Sequence, residues 1–412
     1  MWEALAMADD RKPKEPQDLP EGWKWVRLGE VVIENPKSLF KVEDADNFGE
    51  FPFFTSGDNI LKHSCYLVDG ENLFIATGGK AKVNYYHGKA SYSTDTYSIK
   101  AKGLNTKYLF YTLIKDIEKI DYNFFSGSGL KHLQKDDFKN ILLPLPPLPE
   151  QRKIAEILET VDNAIEKTEK IIEKYKRIKQ GLMQDLLSKG IDENGNIRSE
   201  KTHKFKDSPL GRIPEEWEVV RLGEVGEIIM GQSPPSALVN QEGNGIPFLQ
   251  GSAEFGAKYP LPKNWIVKPL KLAPKNSILI SIRAPVGDLN IADNVYCIGR
   301  GLAAIKVNNS KANNFFIWFV LQLFSDRLVK ISQGSTFEAI GHNELNNFLI
   351  PLPPLSEQKR IAEILSQIDQ AIEKEEKYKE KLERLKKGLM EDLLTGKVRV
   401  NKLVEGENHE MA

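Results

Sequence analysis

The feature that most constrains this chain is a stretch that it spells twice. From Ile141 it reads ILLPLPPLPEQRKIAEILETVDNAIEKTEKIIEKYKRIKQGLMQDLL, and from Phe348 it reads FLIPLPPLSEQKRIAEILSQIDQAIEKEEKYKEKLERLKKGLMEDLL. Pro144 answers Pro351, Gln151 answers Gln358 and Gly181 answers Gly388, with no gap. Self-similarity of this length sets the architecture before any local reading does. Each copy has a Pro-rich lead-in and then a long helical pattern. Ile154, Leu158, Val161, Ile165, Thr168, Ile172, Tyr175, Leu182 and Leu186 recur close to three- and four-residue spacing in the first copy. Ile361, Leu365, Ile368, Ile372, Leu382, Leu385, Leu389 and Leu393 do so in the second. A narrow apolar seam on a charged rod is the pattern of coiled-coil pairing. Pro149, and in the second copy Ser356 and Glu357, mark the helix starts; at Pro149 the missing N–H costs nothing. About 40 helical residues at about 1.5 Å each make a rod of roughly 60 Å. Such a rod needs a partner, and the other copy is the expected one. Glu375 and Lys379 interrupt the second seam and should loosen it.

A second repeat lies upstream. Leu19-Pro-Glu-Gly-Trp-Lys-Trp-Val-Arg-Leu-Gly-Glu-Val matches Ile213-Pro-Glu-Glu-Trp-Glu-Val-Val-Arg-Leu-Gly-Glu-Val. The chain is therefore two tandem units, each an opening motif, a body, a Pro-rich exit and a long helix. The expected boundaries are a polar arm at 1–18, a first body at 19–143 and a first spacer helix with its lead-in at 144–188. A connector follows at 189–212, then a second body at 213–350, a second helix with its lead-in at 351–397 and a tail at 398–412. The bodies differ in sequence and carry short strand-like runs bounded by Gly, Asn, Asp and Pro, then an apolar helical run at 106–117 and 312–328. They read as mixed α+β bodies held in one frame.

The two cysteines, Cys65 and Cys297, make no disulfide framework, and the start lacks the apolar core of a secretory signal, so a cytoplasmic setting is expected. No apolar run approaches membrane length. The formal net charge of −1 does not advertise nucleic acid, so any such site must be local. Local it is. Lys80, Lys82, Lys89, Lys100, Lys102 and Lys107 lie in one window against a single acid, Asp95, with Tyr85 and other aromatic and hydroxyl residues among them. Lys258, Lys263, Lys268, Lys271, Lys275 and Arg283 lie in a second window with no acid. Basic windows in a neutral protein are what phosphate contacts require, although a solvated lysine face has the same composition. Gly-rich polar loops accompany them and put Ser, Gln, Arg, Lys and His where bases can be read. The DNA-contacting candidates are thus Lys80, Lys82, Tyr85, Lys89, Ser128, Lys131 and His132 in the first body. In the second they are Gln232, Ser233, Gln250, Lys258, Lys263, Arg283, Arg300, Gln333, Ser335 and Thr336. Motifs for phosphate-binding loops, dinucleotides, zinc or an activated nucleophile do not occur, which weighs against catalysis. A stand-alone DNA-modifying enzyme and a coiled-coil adapter without a nucleic-acid role stand as the rival readings.

The doubled Pro-Leu-Pro-Pro-Leu-x-Glu-Gln motif, each copy leading to Gly-Leu-Met-x-Asp-Leu-Leu, with Pro-Glu-x-Trp-x-x-Val-Arg-Leu-Gly-Glu-Val before each body, resembles the specificity (S) subunit of type I restriction–modification systems. The resemblance runs from Leu19 to about Val400. It implies two target recognition domains, each reading half of a split double-stranded DNA sequence, and two long helices paired antiparallel as a spacer. It implies a subunit without catalytic activity or cofactor of its own that joins two methyltransferase (M) subunits and two restriction/translocase (R) subunits. S-adenosylmethionine, ATP and Mg would belong to those partners. Docking to the M subunits would use the lead-ins and helix starts, here Leu145, Leu148, Gln151, Leu352, Leu355 and Gln358.

Overall fold

In the computed structural model, residues 18–333 and 339–403 are described. Two compact units emerge, Met1–Glu169 with Lys377–Ala412, and Lys170–Glu376. The fold class is the one expected: two mixed α/β bodies in tandem, with a long helix after each, Leu148–Leu186 and Leu355–Leu394.

Inside the first unit the opening strand Lys24–Arg27 pairs antiparallel with the exit strand Leu142–Leu145, Val26 facing Leu143. The two sequence motifs that flank the body therefore close it. A four-stranded sheet runs in the order Val32–Glu34, Thr96–Ala101, Glu71–Ala76, Val83–His87. A smaller sheet runs Leu61–His63, Phe51–Phe54, Ser91–Tyr92, its last pairing parallel. The helix Thr106–Lys115 starts at an Asn105 cap, whose Oδ1 accepts from Tyr108 N at 2.8 Å.

The second unit has the same plan. Glu218–Arg221 pairs with Leu349–Leu352. A four-stranded sheet runs Gly226–Met230, Leu302–Val307, Ile278–Ser281, Leu289–Ile291. A five-stranded sheet contains Asn264–Ile266, Ile246–Leu249 and Tyr296–Ile298 as neighbours, again with one parallel pairing. Asn313 caps the helix Asn314–Leu323. The bodies that differ in sequence share the order of the four-stranded sheet, and the three-strand order of the first body recurs inside the five-stranded sheet of the second.

The Glu-Gln pair of each exit motif turns inward. Gln151 accepts from Asn105 N at 2.9 Å and donates to Pro146 O at 2.8 Å; Gln358 accepts from Asn313 N and donates to Pro353 O, both at 2.8 Å. Each glutamine pins the start of a long helix to the cap of the body helix. Glu150 accepts from the Trp23 indole at 3.0 Å and takes a bidentate grip from Arg399 at 2.7 and 2.9 Å. Glu357 accepts from the Trp217 indole at 3.2 Å and pairs with both Arg198 guanidinium nitrogens. Gln151 and Gln358 are thus buried in their own chain and offer a partner no surface, which corrects the docking expectation for these two residues.

Within each unit, segments of the two long helices pack antiparallel. In the first, Ile154, Ala155 and Leu158 share a core with Leu393 and Leu394, and Lys386–Asp162 (2.6 Å) and Lys379–Glu169 (2.7 Å) flank the seam. In the second, Leu186 and Leu187 share a core with Ile361, Ala362 and Leu365, flanked by Lys176–Glu376 and Lys179–Asp369, both 2.7 Å. Half-exposed ion pairs of this kind contribute at most about 1 kcal/mol each, whereas each fully buried Ile or Leu contributes about 1.5–3 kcal/mol. The seam therefore holds the pair and the charges set its register. None of residues 373–381 is buried, so the seam thins where Glu375 and Lys379 interrupt it. Leu385 departs from expectation: it is 50% exposed, because its neighbour Lys386 takes the inward direction to Asp162.

Candidate nucleic-acid interface

In the first body three loops meet at one end of the sheets. The turn at 77–82 joins strands Glu71–Ala76 and Val83–His87. Gly79 N donates to Lys131 O at 2.9 Å and Leu133 N to Thr77 O at 3.0 Å, which stitches the turn to the loop at 126–132. Lys131 stands 3.7 Å from Asp121, which also accepts from Ala81 N at 2.6 Å. Thr77 N donates to Ser56 Oγ at 3.1 Å, adding the loop at 56–58. Lys80, Ser128, Lys131 and His132 are exposed on this edge. Lys82 belongs to it differently. Its ammonium donates to Gly57 O and Asp58 O at 2.9 and 2.8 Å, so it clasps two loops together.

Tyr85 and Lys89, expected among the DNA contacts, do not join this edge. The strand Val83–His87 carries them away, by about 3.3 Å per residue. The Tyr85 hydroxyl donates to Glu71 at 2.7 Å, and burial together with that carboxylate pushes its pKa above the usual phenol value. Lys89 lies over the Tyr66 ring, 4.7 Å from its centre. The rest of the window scatters as well: Lys100 donates to Asp69 O at 3.3 Å and Lys107 is paired with Glu159.

The second body presents an edge at the corresponding strand ends. Gly231 N donates to Leu302 O, Gln232 N to Ile298 O and Ile282 N to Gly301 O, each at 2.9 Å; Gly299 N donates to Leu249 O at 2.7 Å. Five strand ends are gathered by these bonds. Ser233 Oγ accepts from Gln250 Nε2 at 3.1 Å and from Arg300 N at 3.3 Å. Gln232, Gln250, Arg283 and Arg300 are exposed around it. The approach of backbones is close enough that a Cβ on Gly231 would fall 2.1 Å from Gly299 O, so glycine is required there. Lys263 is exposed beside Asn264, whose cross-strand partner is Phe248, two residues before Gln250.

Lys258 lies elsewhere, contrary to expectation. Its carbonyl accepts from Ile291 N at 2.9 Å and its ammonium sits 5.3 Å from the Phe315 ring centre. Ile291 faces Ile278, at the end of strand Ile278–Ser281 remote from Arg283. Lys271, absent from the sequence-based candidates, belongs to the edge: it is exposed, and its carbonyl accepts from Ile298 N at 3.0 Å, next to Gly299 and Arg300. Its place in the basic window was the signal available. Ser335, Thr336 and the Gln333 side chain lie outside the described residues. Among the docking candidates, Leu148 is 38% exposed, Leu352 and Leu355 are half-buried and Leu145 is buried. Among the described residues no group of three or more His, Cys, Asp and Glu is placed to hold a metal ion, and no helix is long and apolar enough to cross a membrane.

Comparison with known proteins fits this geometry. The family model described as type I restriction modification DNA specificity domain matches residues 20–177 and again 214–384. The MjaX type I restriction enzyme specificity subunit of Methanocaldococcus jannaschii is 42% identical over 339 residues, 81% of this chain and 73% of that protein. The MjaVIII specificity subunit of the same organism is 31% identical over 93% of this chain and 95% of its own length. A chain solved in work on complex assembly and conformational transition of the type I R-M system is 31% identical over 93% of this chain and all of its own length, with a TM-score of 0.56. The type I S subunit from M. genitalium, at 15% identity over 93% and 98% of the two chains, shares the fold with a TM-score of 0.68.

Proposed function

Because the chain belongs to the type I restriction–modification DNA specificity family, we propose that each body binds one half of an asymmetric, split DNA target and that the chain directs partner methyltransferase and endonuclease subunits to it. The observation that carries this reading is the pair of matched edges. Two bodies whose four-stranded sheets have the same strand order gather exposed polar and basic side chains at the same strand ends, Lys80, Ser128, Lys131 and His132 in the first and Gln232, Gln250, Arg283 and Arg300 in the second. The cations set position on phosphates and the loop side chains read bases. The different loop sequences give different half-sites, so the whole target is not a palindrome. The half-sites stand roughly one helical turn, about 34 Å, apart, with the long helices as spacer.

The same reading gives the chain no chemistry of its own. Two M subunits supply adenine methylation with S-adenosylmethionine, and two R subunits supply ATP- and Mg-dependent translocation and cleavage, in the cytoplasm. The exposed and half-buried leucines of the lead-ins, Leu148, Leu352 and Leu355, serve the M subunits.

The test is DNA selection from a random duplex library by the full chain together with its M subunits. Recovery of two unlike half-sequences with a fixed gap, with binding that falls steeply as salt rises, supports the reading. Binding without sequence preference, or no binding at any salt concentration, overturns it in favour of an adapter. Turnover of S-adenosylmethionine by the chain alone would favour a stand-alone enzyme.

A further inference from the structure

Beside the edge of the second body lies a cleft whose chemistry differs from its rim. Asn264 faces Phe248 across one strand pair. On its other side the Asn240–Trp265 pairing, continued one step, brings it opposite Gln241. Residues directly across a sheet share a face, as do residues two apart on a strand. Gln241, Asn264, Phe248 and Gln250 therefore stand on one face, and all four line the cleft. Phe248 is buried and supplies an apolar floor; four amides, Asn240, Gln241, Gln250 and Asn264, stand among the walls.

The amides are not equally available. Asn240 is spent on the chain, donating to Asn244 O and Trp265 O and accepting from Asn244 N. Gln250 uses its NH2 on Ser233, which fixes its orientation. Among the described residues the Asn264 amide meets no hydrogen-bond partner. No Lys or Arg lines the cleft and one carboxylate, Glu242, does, so a phosphate is disfavoured inside it. Cations stand outside, Lys263 beside Asn264 in the chain and the exposed Arg300, whose backbone N–H donates to the hydroxyl that holds Gln250. Phosphate contacts at a rim around a pocket without cations, lined by amide donors and acceptors, are the arrangement that positions a nucleic acid while reading a base.

An Asn or Gln amide offers one acceptor and one donor side by side, and this matches the N6–H and N7 edge of adenine. We propose that Asn264 and Gln250 read an adenine in the half-site bound by the second body. The inference rests on the DNA-reading function above and adds the residues and the base.

The experiment selects targets from a duplex library randomised in that half-site, using the full chain assembled with its M subunits. The wild-type chain should show an A·T requirement at one position. Asn264→Ala should relax that position by about 10-fold, leaving the other positions, the first half-site and the salt dependence unchanged. Gln250→Ala, at an exposed residue, should relax the same position or its neighbour, and it decides the matter if Asn264→Ala fails to fold. Asn264→Asp, which loses the donor and keeps the shape, should shift preference towards cytosine, whose N4 donates. Unchanged selectivity in both alanine variants overturns the proposal. So does a uniform loss across all sequences with a shallower salt slope, the mark of a phosphate contact. A wild-type chain with no preference anywhere in the half-site would instead overturn the DNA-reading function itself.

Discussion

At the residue scale two buried glutamates tie the start of each long helix to the tryptophan of the opening motif. Glu357 carries the Trp217 indole, the Ile191 amide and the Arg198 fork in a site where both charged side chains are at most 10% exposed. Removing one member of a buried pair leaves the other charge without compensation, at about 3–5 kcal/mol. Arg198→Ala should therefore lower the melting temperature strongly, while Arg198→Lys, which keeps the charge but not the fork, should lower it less; equal melting of all three chains would contradict this role. Arg300 gives the complementary prediction at the surface. Arg300→Ala should leave melting unchanged and reduce the salt slope of DNA binding by about 1, measured by titration at several salt concentrations. Residue roles were the hardest part to foresee. A buried Gln and an exposed Gln look alike in one sequence, so Gln151 and Gln358 passed for docking residues although they pin helix to cap. Lysines close in sequence fall in one window, but nothing local says where a strand of five residues carries its far end.

At the element scale the long helices were legible and the bodies were not. Two seams of matched length and period announce a helix pair, and the ion pairs Lys386–Asp162 and Lys179–Asp369 give its antiparallel sense within each unit. The shared strand order of the two bodies escaped sequence reasoning for a physical reason. Strands of two to six residues carry too little periodicity, and the parallel pairing of Phe51–Phe54 with Ser91–Tyr92 joins residues far apart in sequence. The helices yield a prediction of length. Deleting residues 163–169 and 379–385 removes one heptad from each, about 10 Å of rod. Mapping of the modified target should then show a gap shorter by about three base pairs between unchanged half-sequences. A gap of the original length would remove the spacer role from the helices.

At the scale of the whole molecule, one frame carries two different readers. Exchanging residues 213–350 for those of another family member should change one half-sequence and leave the other intact, as read by methylation mapping; change in both would mean that the bodies do not act independently. The tandem plan itself was plain in the sequence, since Trp23 and Trp217, Glu150 and Glu357, occupy matching places in both repeats and in both units.

The first unit takes its last core residues, Leu393, Leu394 and Val400, and the arginine that grips Glu150, from the far end of the chain. A ribosome delivers those residues only after the whole of the second unit. The second unit, Lys170–Glu376, is one uninterrupted segment. Of the two units, the one that begins to emerge first is consequently the one completed second.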